Sequence, residues 1–249
     1  MWLLAGLLFV TGKLVVLIRS WQRRGWLAGD LSFALFCPAF DLAAWRRPAS
    51  HPTGLLRRGW VNLSAGMALT WLIARHLPTP FVATWVCMVG FIVALHGGVF
   101  TLIAEYWQRQ SRDVRPLMTC PIGAAALSDF WGRRWNAGFR DLMHSLVFKP
   151  IARRWSPGVA TMMVFVLSGL LHELVITVPA GGGYGGPTVY FLFQALGVGI
   201  ERGCPCRRHG WVWRVRTLIV VLVPLPLLFP PVFVERVCQP FFTFLHALP

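Results

Sequence analysis

Three ionisable side chains within apolar stretches of this 249-residue sequence are candidates for chemistry: His96, His172 and Glu173. Ionisable groups at membrane depth are costly, and they are functional candidates by default. A neutral imidazole carries one donor and one acceptor, so in a dry site it can act as a general base toward a hydroxyl. The structural alternative is that a packed bundle satisfies the ring through interhelical hydrogen bonds. Glu173 points about 100° away from its neighbour around a helix, which is compatible with a pairing or gating role.

A second cluster lies at residues 128–136, where the sequence reads Ser-Asp-Phe-Trp-Gly-Arg-Arg-Trp-Asn. Aromatic residues mixed with arginines are typical of an interfacial helix at the level of the lipid headgroups. In such a helix, Arg133 and Arg134 would snorkel toward water or bind anions. Asn136 differs from its neighbours because its amide can both donate and accept where the chain returns to apolar surroundings.

The composition indicates what surrounds these residues. The chain is 56% hydrophobic and 13% charged, about half the charged share of a soluble domain, so we predict an integral, multi-pass membrane protein. The 24 Lys+Arg outnumber the 9 Asp+Glu, and retention of Arg-rich loops on the cytoplasmic side explains this excess without a nucleic-acid partner. The strong preference for Arg over Lys reflects a GC-rich genome and carries no functional weight. We expect the protein in the bacterial inner membrane, with its Arg-rich loops cytoplasmic.

The spacing of apolar stretches predicts an all-α, polytopic transmembrane bundle of about six to eight membrane segments, with 1–249 as a single membrane domain. The candidate spans cover residues 2–18, 61–77, 81–104, 159–178, 188–200 and 218–234. Residues 26–45 are predicted to be re-entrant or interfacial because Arg clusters flank them on both sides. Residues 105–158 form the Arg-rich cytosolic or interfacial region, and 159–178 is the helix that carries His172.

The six cysteines are scattered and do not indicate a disulfide framework. Cys204-Pro-Cys206 followed by His209 lacks a full set of metal ligands. We therefore predict no metal site and expect this cluster to be inert or a juxtamembrane palmitoylation site.

Taken in order, these motifs resemble the wax synthase branch of the membrane-bound O-acyltransferase family over about residues 95–179. The family's Phe-Trp-x-x-x-Trp-Asn signature falls on Phe130, Trp131, Trp135 and Asn136. Its Ser-Gly-x-x-His-Glu signature falls on Ser168, Gly169, His172 and Glu173. His96-Gly97-Gly98 is similar, more loosely, to a His-x-Gly element upstream.

The resemblance implies transfer of a fatty acyl group from acyl-CoA to a hydroxyl, inside a chamber within the bilayer. It implies His172 as the base and Asn136 as a residue that positions substrate or supports catalysis. The implied partners are acyl-CoA as co-substrate, a hydroxyl-bearing lipid or small-molecule acceptor and the bilayer itself, with no further cofactor. The weaker substrate-binding candidates are Trp131, Trp135, Arg133, Arg134, Ser168, Glu173 and His96.

Two other classes of function stay open on the sequence. A transporter or channel would use His172 and Glu173 as a polar relay, although the sequence shows no internal repeat of the kind that transporters carry. A non-catalytic protein that retains the fold is the other. The chain is also short for a family that usually has eight or more helices, so we expect a minimal chamber or one completed by a second subunit.

Overall fold

The computed structural model describes residues 1–49, 54–203 and 210–248, and the regular structure in these ranges is entirely helical. The α-helices are α1 Trp2–Arg24, α2 Gly29–Phe36, α3 Leu42–Trp45, α4 Leu56–Ala68, α5 Pro80–Ile92, α6 Phe100–Arg109, α7 Leu127–Asp129, α8 Ala137–Met143, α9 Lys149–Arg154, α10 Pro157–His172, α11 Val178–Ala180, α12 Gly186–Gly203, α13 Trp211–Leu222, α14 Leu225–Leu228, α15 Pro231–Phe233 and α16 Gln239–Phe244. The π-helical turns are Leu69–Ile73, Val93–Val99, Phe130–Arg134, His144–Phe148, Glu173–Thr177 and Val234–Cys238, and short 3₁₀ turns cover Ala74–His76 and Pro121–Gly123.

Several helical segments run on without interruption and become long enough to cross a membrane. Among the described residues, four such segments are also apolar enough: Trp2–Arg24, Pro80–Arg109, Pro157–Ala180 and Trp211–Leu228. The predicted all-α membrane bundle is therefore confirmed.

The predicted count of six to eight spans is too high. The helices that contain the predicted spans 61–77 and 188–200 are not among the four apolar ones. The first includes Arg57, Arg58 and Arg75, and α12 includes Glu201 and Arg202, so charged residues lower their mean hydropathy. The last predicted span, 218–234, also shifts toward the N-terminus, because the apolar helical segment is Trp211–Leu228 and the helix ends before Phe229 and Pro230.

The segment predicted to be re-entrant, 26–45, is divided into two helices. Helix α2 ends at Phe36, where Cys37 takes an extended conformation. Helix α3 begins after Asp41, whose carboxylate accepts a hydrogen bond from the Ala44 amide at 2.9 Å. An acidic N-cap of this kind satisfies an amide that has no partner within the helix, and it explains an aspartate in an otherwise apolar stretch.

The residues fall into two compact units. Unit 1 comprises Met1–Ala5, Thr119–Asn136 and Met143–Val237, and unit 2 comprises Gly6–Met118, Ala137–Leu142 and Cys238–Pro249. Both sequence signatures lie in unit 1, and His96 lies in unit 2.

Unit 2 brings its helices together through small residues. Helix α4 packs against the π-helical turn Val93–Val99, where a Cβ atom on Gly98 would lie only 2.8 Å from the Cα atom of Leu63. Small residues let helix backbones approach closely in membrane proteins, where dispersion contacts replace the hydrophobic effect. The Gly97-Gly98 pair after His96 therefore has a packing role.

Lys13, the one cation within α1 before its final turns, is buried in unit 2. Its Nζ atom donates to the carbonyl oxygens of Phe33 at 3.2 Å and Ala39 at 2.5 Å. It also lies 3.6 Å from the centroid of the Phe33 ring. The ammonium thus meets two carbonyls and an aromatic face, which together compensate for the loss of water.

Another buried charge of unit 2 is Asp30, which forms an ion pair with Arg46. Asp30 also accepts from the Leu27 amide at 3.1 Å. Burial acts to raise the pKa of Asp30, but hydrogen bonds from Arg46 and the Leu27 amide outweigh it and hold that pKa below its usual range. This ion pair joins α2 to the end of α3, next to the buried indole of Trp45.

We expect Asp30→Asn to destabilise unit 2 by about 3 kcal/mol, because it leaves the buried Arg46 guanidinium without its carboxylate. Asp113→Asn is the matched control, since Asp113 pairs with Arg47 on an exposed surface, where such pairs contribute less than about 1 kcal/mol. Thermal unfolding in detergent measures the stability of both variants.

The stabilisation by Asp30 also depends on pH. Because the pKa of Asp30 is lowered in the folded protein, its contribution to the free energy of unfolding is complete above the ordinary aspartate pKa and is lost as pH falls through the lowered value. Equal melting temperatures for the two variants would contradict this assignment.

Candidate active site

Helix α10 carries most of the Ser-Gly-x-x-His-Glu signature. Ser156 caps it by accepting from the Val159 amide at 3.2 Å, and Pro157 occupies the first helical turn. Both are typical helix-start residues. The helix then runs to His172, where the π-helical turn Glu173–Thr177 begins. His172 is therefore about 22 Å along the helix from Pro157, at 1.5 Å per residue.

One hydrogen bond orients the His172 ring. Its Nδ1 atom lies 2.6 Å from the carbonyl oxygen of Ser168, one turn earlier. A carbonyl oxygen only accepts, so Nδ1 carries the proton and donates it, and the lone pair of the neutral ring is on Nε2. Nε2 has no hydrogen-bond partner among the described residues and is not fully buried. The structure therefore presents a basic nitrogen with a fixed direction.

Ser168 contributes through its backbone. Its hydroxyl donates to the Val164 carbonyl at 2.8 Å, within its own helix. This hydroxyl therefore bonds its own helix and does not hold the His172 ring. The ring is held by the Ser168 carbonyl oxygen instead.

The other two residues of this signature join α10 to α12. A Cβ atom on Gly169 would lie 2.8 Å from the Thr188 Cα atom, so glycine allows the two backbones to approach closely. The Glu173 carboxylate accepts from the Thr188 amide at 3.1 Å, the Thr188 hydroxyl at 3.0 Å and the Thr177 hydroxyl at 2.7 Å. Glu173 therefore satisfies an amide of the first turn of α12 that has no partner within the helix.

The Phe-Trp-x-x-x-Trp-Asn signature is positioned by a contact near the C-terminal end of α12. The buried carboxylate of Glu201 accepts from the amides of Leu127 and Ser128 at 3.0 and 3.2 Å, at the start of α7. Helix α7 leads directly into the π-helical turn Phe130–Arg134. Within this segment, the Arg134 Nε atom lies 2.6 Å from the Asp129 carboxylate.

The two signatures meet through one phenylalanine of α12. The Phe191 ring lies 4.6 Å from the His172 ring and 5.6 Å from the Trp131 ring, measured between centroids. The Trp131 indole N–H donates to the Gln194 side-chain oxygen at 3.1 Å, and the Gln194 amide donates to the Val220 carbonyl at 3.0 Å. Trp131 is therefore fixed by a buried amide, one aromatic ring away from His172.

Trp135 and Asn136 end this segment of unit 1. The Trp135 ring stacks on Phe130, with a centroid distance of 5.6 Å and an interplanar angle of 13°. Asn136 has a φ of 41°, in the left-handed region that asparagine tolerates better than most residues. The backbone requirement at this position is thus one independent reason for an asparagine.

The two arginines of the signature have different surroundings. The Arg134 guanidinium is engaged by Asp129 and by the Cys120 carbonyl at 3.1 Å. The side chain of Arg133 is exposed and makes no hydrogen bond to a described residue, while its carbonyl accepts from the Thr119 hydroxyl. Of the two predicted anion-binding residues, Arg133 is the one available to a ligand.

His96 is described within unit 2. It lies in the π-helical turn Val93–Val99, with its ring 5.2 Å from the Phe100 ring. Its Nδ1 atom is buried and has no hydrogen-bond partner within the described part of the chain. It stays a predicted substrate-binding residue.

Three positioning residues are absent from the sequence prediction: Phe191, Gln194 and Glu201. A glutamine and a glutamate within a largely apolar helix were the available signals, because buried polar side chains require partners. No group of three or more potential metal ligands occurs in the described ranges. Cys204, Cys206 and His209 lie outside them.

Comparison with known proteins agrees with this site. Residues 114–194, which are 81 of the 249 residues, match the model of the membrane bound O-acyl transferase family. The match includes all the predicted site residues except His96. The resemblance that the signatures indicated is therefore confirmed, and the class of protein to which this region is similar is that of membrane-bound O-acyltransferases.

Individual relatives narrow the similarity to the wax synthase-like branch. The "Long-chain-alcohol O-fatty-acyltransferase" of Simmondsia chinensis is 36% identical over 70 residues, which cover 25% of this chain and 20% of that protein. The "Probable long-chain-alcohol O-fatty-acyltransferase 9" of Arabidopsis thaliana is 29% identical over 142 residues, 49% of this chain and 41% of the relative. The "Acyl-CoA--sterol O-acyltransferase 1" of Arabidopsis thaliana is 33% identical over 70 residues, 25% and 20% of the two chains. The matches thus span less than half of each of these relatives.

We expect Gly169→Ala to destabilise the α10–α12 pair by about 1–3 kcal/mol, because the new methyl group meets the Thr188 backbone. Gly199→Ala on α12 is the matched control, since a Cβ atom there meets nothing within 4 Å. Thermal unfolding in detergent compares the two variants. A melting temperature for Gly169→Ala equal to that of Gly199→Ala would show that the two backbones are farther apart than described.

Proposed function

We propose that this protein is an O-acyltransferase that moves a fatty acyl group from acyl-CoA to the hydroxyl of a lipid or small-molecule acceptor. The observation that supports it most is the orientation of His172, whose Nδ1 is held by the Ser168 carbonyl while Nε2 has no hydrogen-bond partner among the described residues. A histidine that only stabilised the bundle would use both nitrogens.

In the proposed reaction, His172 Nε2 takes the proton of the acceptor hydroxyl as its oxygen attacks the thioester carbonyl carbon. A tetrahedral intermediate forms, with the negative charge on the former carbonyl oxygen. As it collapses, the carbon–sulfur bond breaks, and the CoA sulfur leaves with the proton held on Nε2. The products are an ester and CoA with a free thiol.

The oxyanion of that intermediate needs a hydrogen-bond donor. Trp131 is poorly suited, because its indole N–H is already donated to Gln194. The Asn136 amide is our candidate, in agreement with the role that the resemblance implies for it. The rings of Phe191, Trp131 and Phe165 pack together beside His172 and would exclude water, which would otherwise compete with the acceptor.

We place the entry of acyl-CoA on the Arg-rich face that includes the exposed Arg133. Guanidinium groups match phosphate oxygens well, and CoA carries several phosphates. Under the positive-inside rule this face is cytosolic, and the start of α10, which follows Arg153 and Arg154, is on the same side. The relatives named above are plant proteins, so the bacterial inner membrane stays a prediction.

For the acceptor, we propose a long-chain alcohol first and a sterol second. Both are named in the relatives that match this region. The site is consistent with such acceptors because its wall beside His172 is aromatic and apolar.

The transporter alternative needs both His172 and Glu173 as a polar relay. A polar relay would require Glu173 to exchange a proton with His172. The Glu173 carboxylate is instead occupied by three hydrogen bonds from Thr177 and Thr188. We infer that Glu173 caps α12 rather than relaying protons; its role in substrate binding stays a prediction.

We expect His172→Gln to lower the rate of ester formation at least about 10³-fold, because the glutamine amide cannot take up a proton. Membranes containing the protein would be incubated with labelled acyl-CoA and a panel of long-chain alcohol, sterol and diacylglycerol, with the ester identified by mass spectrometry. The control is His76→Gln, which changes an exposed histidine of unit 2. Full activity of His172→Gln would rule out His172 as the base, and no ester from the wild type with any acceptor would favour the non-catalytic alternative.

We expect Arg133→Gln to raise the KM for acyl-CoA about tenfold, since one charge-assisted phosphate contact is lost, and to leave the identity of the ester unchanged. Arg214→Gln is the matched control, because Arg214 is exposed on α13 and its loss removes the same charge. Steady-state kinetics with varied acyl-CoA measure both. An equal rise in the control would assign the effect to net charge.

A further inference from the structure

A groove with a volume of about 540 Å³ runs between the first half of α10 and the second half of α12. Its apolar wall is formed largely by small residues and by two exposed aliphatic side chains, Leu196 and Ile200. Gly158 lines it on α10 and Gly199 on α12, and a Cβ atom on Gly199 would meet nothing within 4 Å. The feature is thus an open groove on the surface of two packed helices of unit 1.

The groove has an apolar lining and a volume, about 540 Å³, sufficient for a hydrocarbon chain. Helix α10 is within a segment apolar enough to span the membrane, so the groove faces an environment in which lipid chains are the available apolar ligand. A void left unfilled would forfeit dispersion contacts along its whole lining.

One end of the groove carries a positive charge. Arg202 lines it, is exposed, and donates from one guanidinium nitrogen to the Thr161 hydroxyl at 2.8 Å. Arg202 has no carboxylate partner among the ion pairs of the described residues. A guanidinium has five N–H donors in a fork that fits phosphate oxygens, so most of its donors stay available for a ligand.

The same end lies at the start of α10. Gly158 belongs to the first turn of this 16-residue helix, where the helix dipole favours a negative charge. A ligand that fits the groove would therefore combine an apolar chain with an anionic group close to the point where the chain begins.

We propose that this groove binds one anionic glycerophospholipid, with an acyl chain along Ala195, Leu196 and Gly199 and the phosphate on Arg202. The bound lipid braces the helix pair that also holds His172 and Phe191 together. The proposal concerns a binding site on the bilayer side of α10 and α12, and it holds whether or not the protein transfers acyl groups.

Native mass spectrometry of the purified protein in detergent tests it. The probes are phosphatidylglycerol, which has a net negative charge, and phosphatidylcholine with the same acyl chains, which has none. We expect the wild type to bind one phosphatidylglycerol at least about tenfold more tightly than phosphatidylcholine, and we expect Arg202→Gln to remove that difference.

Two further variants separate the groove from the surface charge. Gly199→Leu fills the groove without meeting another atom at its Cβ position, and we expect it to lower the affinity for both lipids about tenfold. Arg214→Gln, which removes an exposed charge outside the groove, should bind phosphatidylglycerol as the wild type does.

Three results would overturn the proposal. The first is that both Arg202→Gln and Gly199→Leu bind phosphatidylglycerol as tightly as the wild type. The second is that Arg214→Gln loses as much affinity for phosphatidylglycerol as Arg202→Gln. The third is that the wild type binds the two lipids with equal affinity. Bound lipid is read from mass alone, so this outcome is independent of ester formation. A protein without acyltransferase activity that still shows the Arg202-dependent lipid would support this site and reject the proposed function.

Discussion

The close contact of α10 and α12 at Gly169 is the constraint on which the site depends. Because residue 169 has no side chain, Thr188 comes near enough for the Glu173 carboxylate to cap α12. Phe191 follows Thr188 by three residues and reaches the His172 ring, and Gln194 follows Phe191 by three more and holds Trp131. Residues at this spacing lie along one ridge of a helix, so a single backbone approach sets the cap, the aromatic contact and the indole anchor together.

Much of the histidine side of the site was predictable from sequence. The apolar run around His172 indicated the helix. The order of the two signatures indicated that His172, rather than His96, lies near the Phe-Trp-x-x-x-Trp-Asn segment. The positions of Phe191, Gln194 and Glu201 were not predictable, because their roles depend on the side of α12 that meets residues about 20 to 75 positions away in sequence. Periodicity gives the spacing along a helix, but not which neighbour each face meets.

The count of membrane segments failed for a related reason. Residues 188–200 are apolar enough to suggest a span, but the helix that contains them extends to Glu201, whose buried carboxylate is needed to start α7. The apolar stretch 188–200, taken without the residues that follow it, does not reveal that its helix continues to a polar end with a structural partner. Both histidines singled out from sequence also border or occupy π-helical turns, a local irregularity that is frequent at functional sites and that no residue pattern here announces.

The buried ammonium of Lys13 has a consequence for how the chain enters the membrane. The carbonyls that receive it belong to Phe33 and Ala39, which follow it by 20 and 26 residues. During synthesis the first helix is therefore made before the groups that neutralise its charge, and a lone lysine at the centre of a span costs roughly 2.5–3.5 kcal/mol. We therefore expect α1 to settle in the bilayer only once α2 and the loop behind it have emerged and can accept from the Lys13 ammonium.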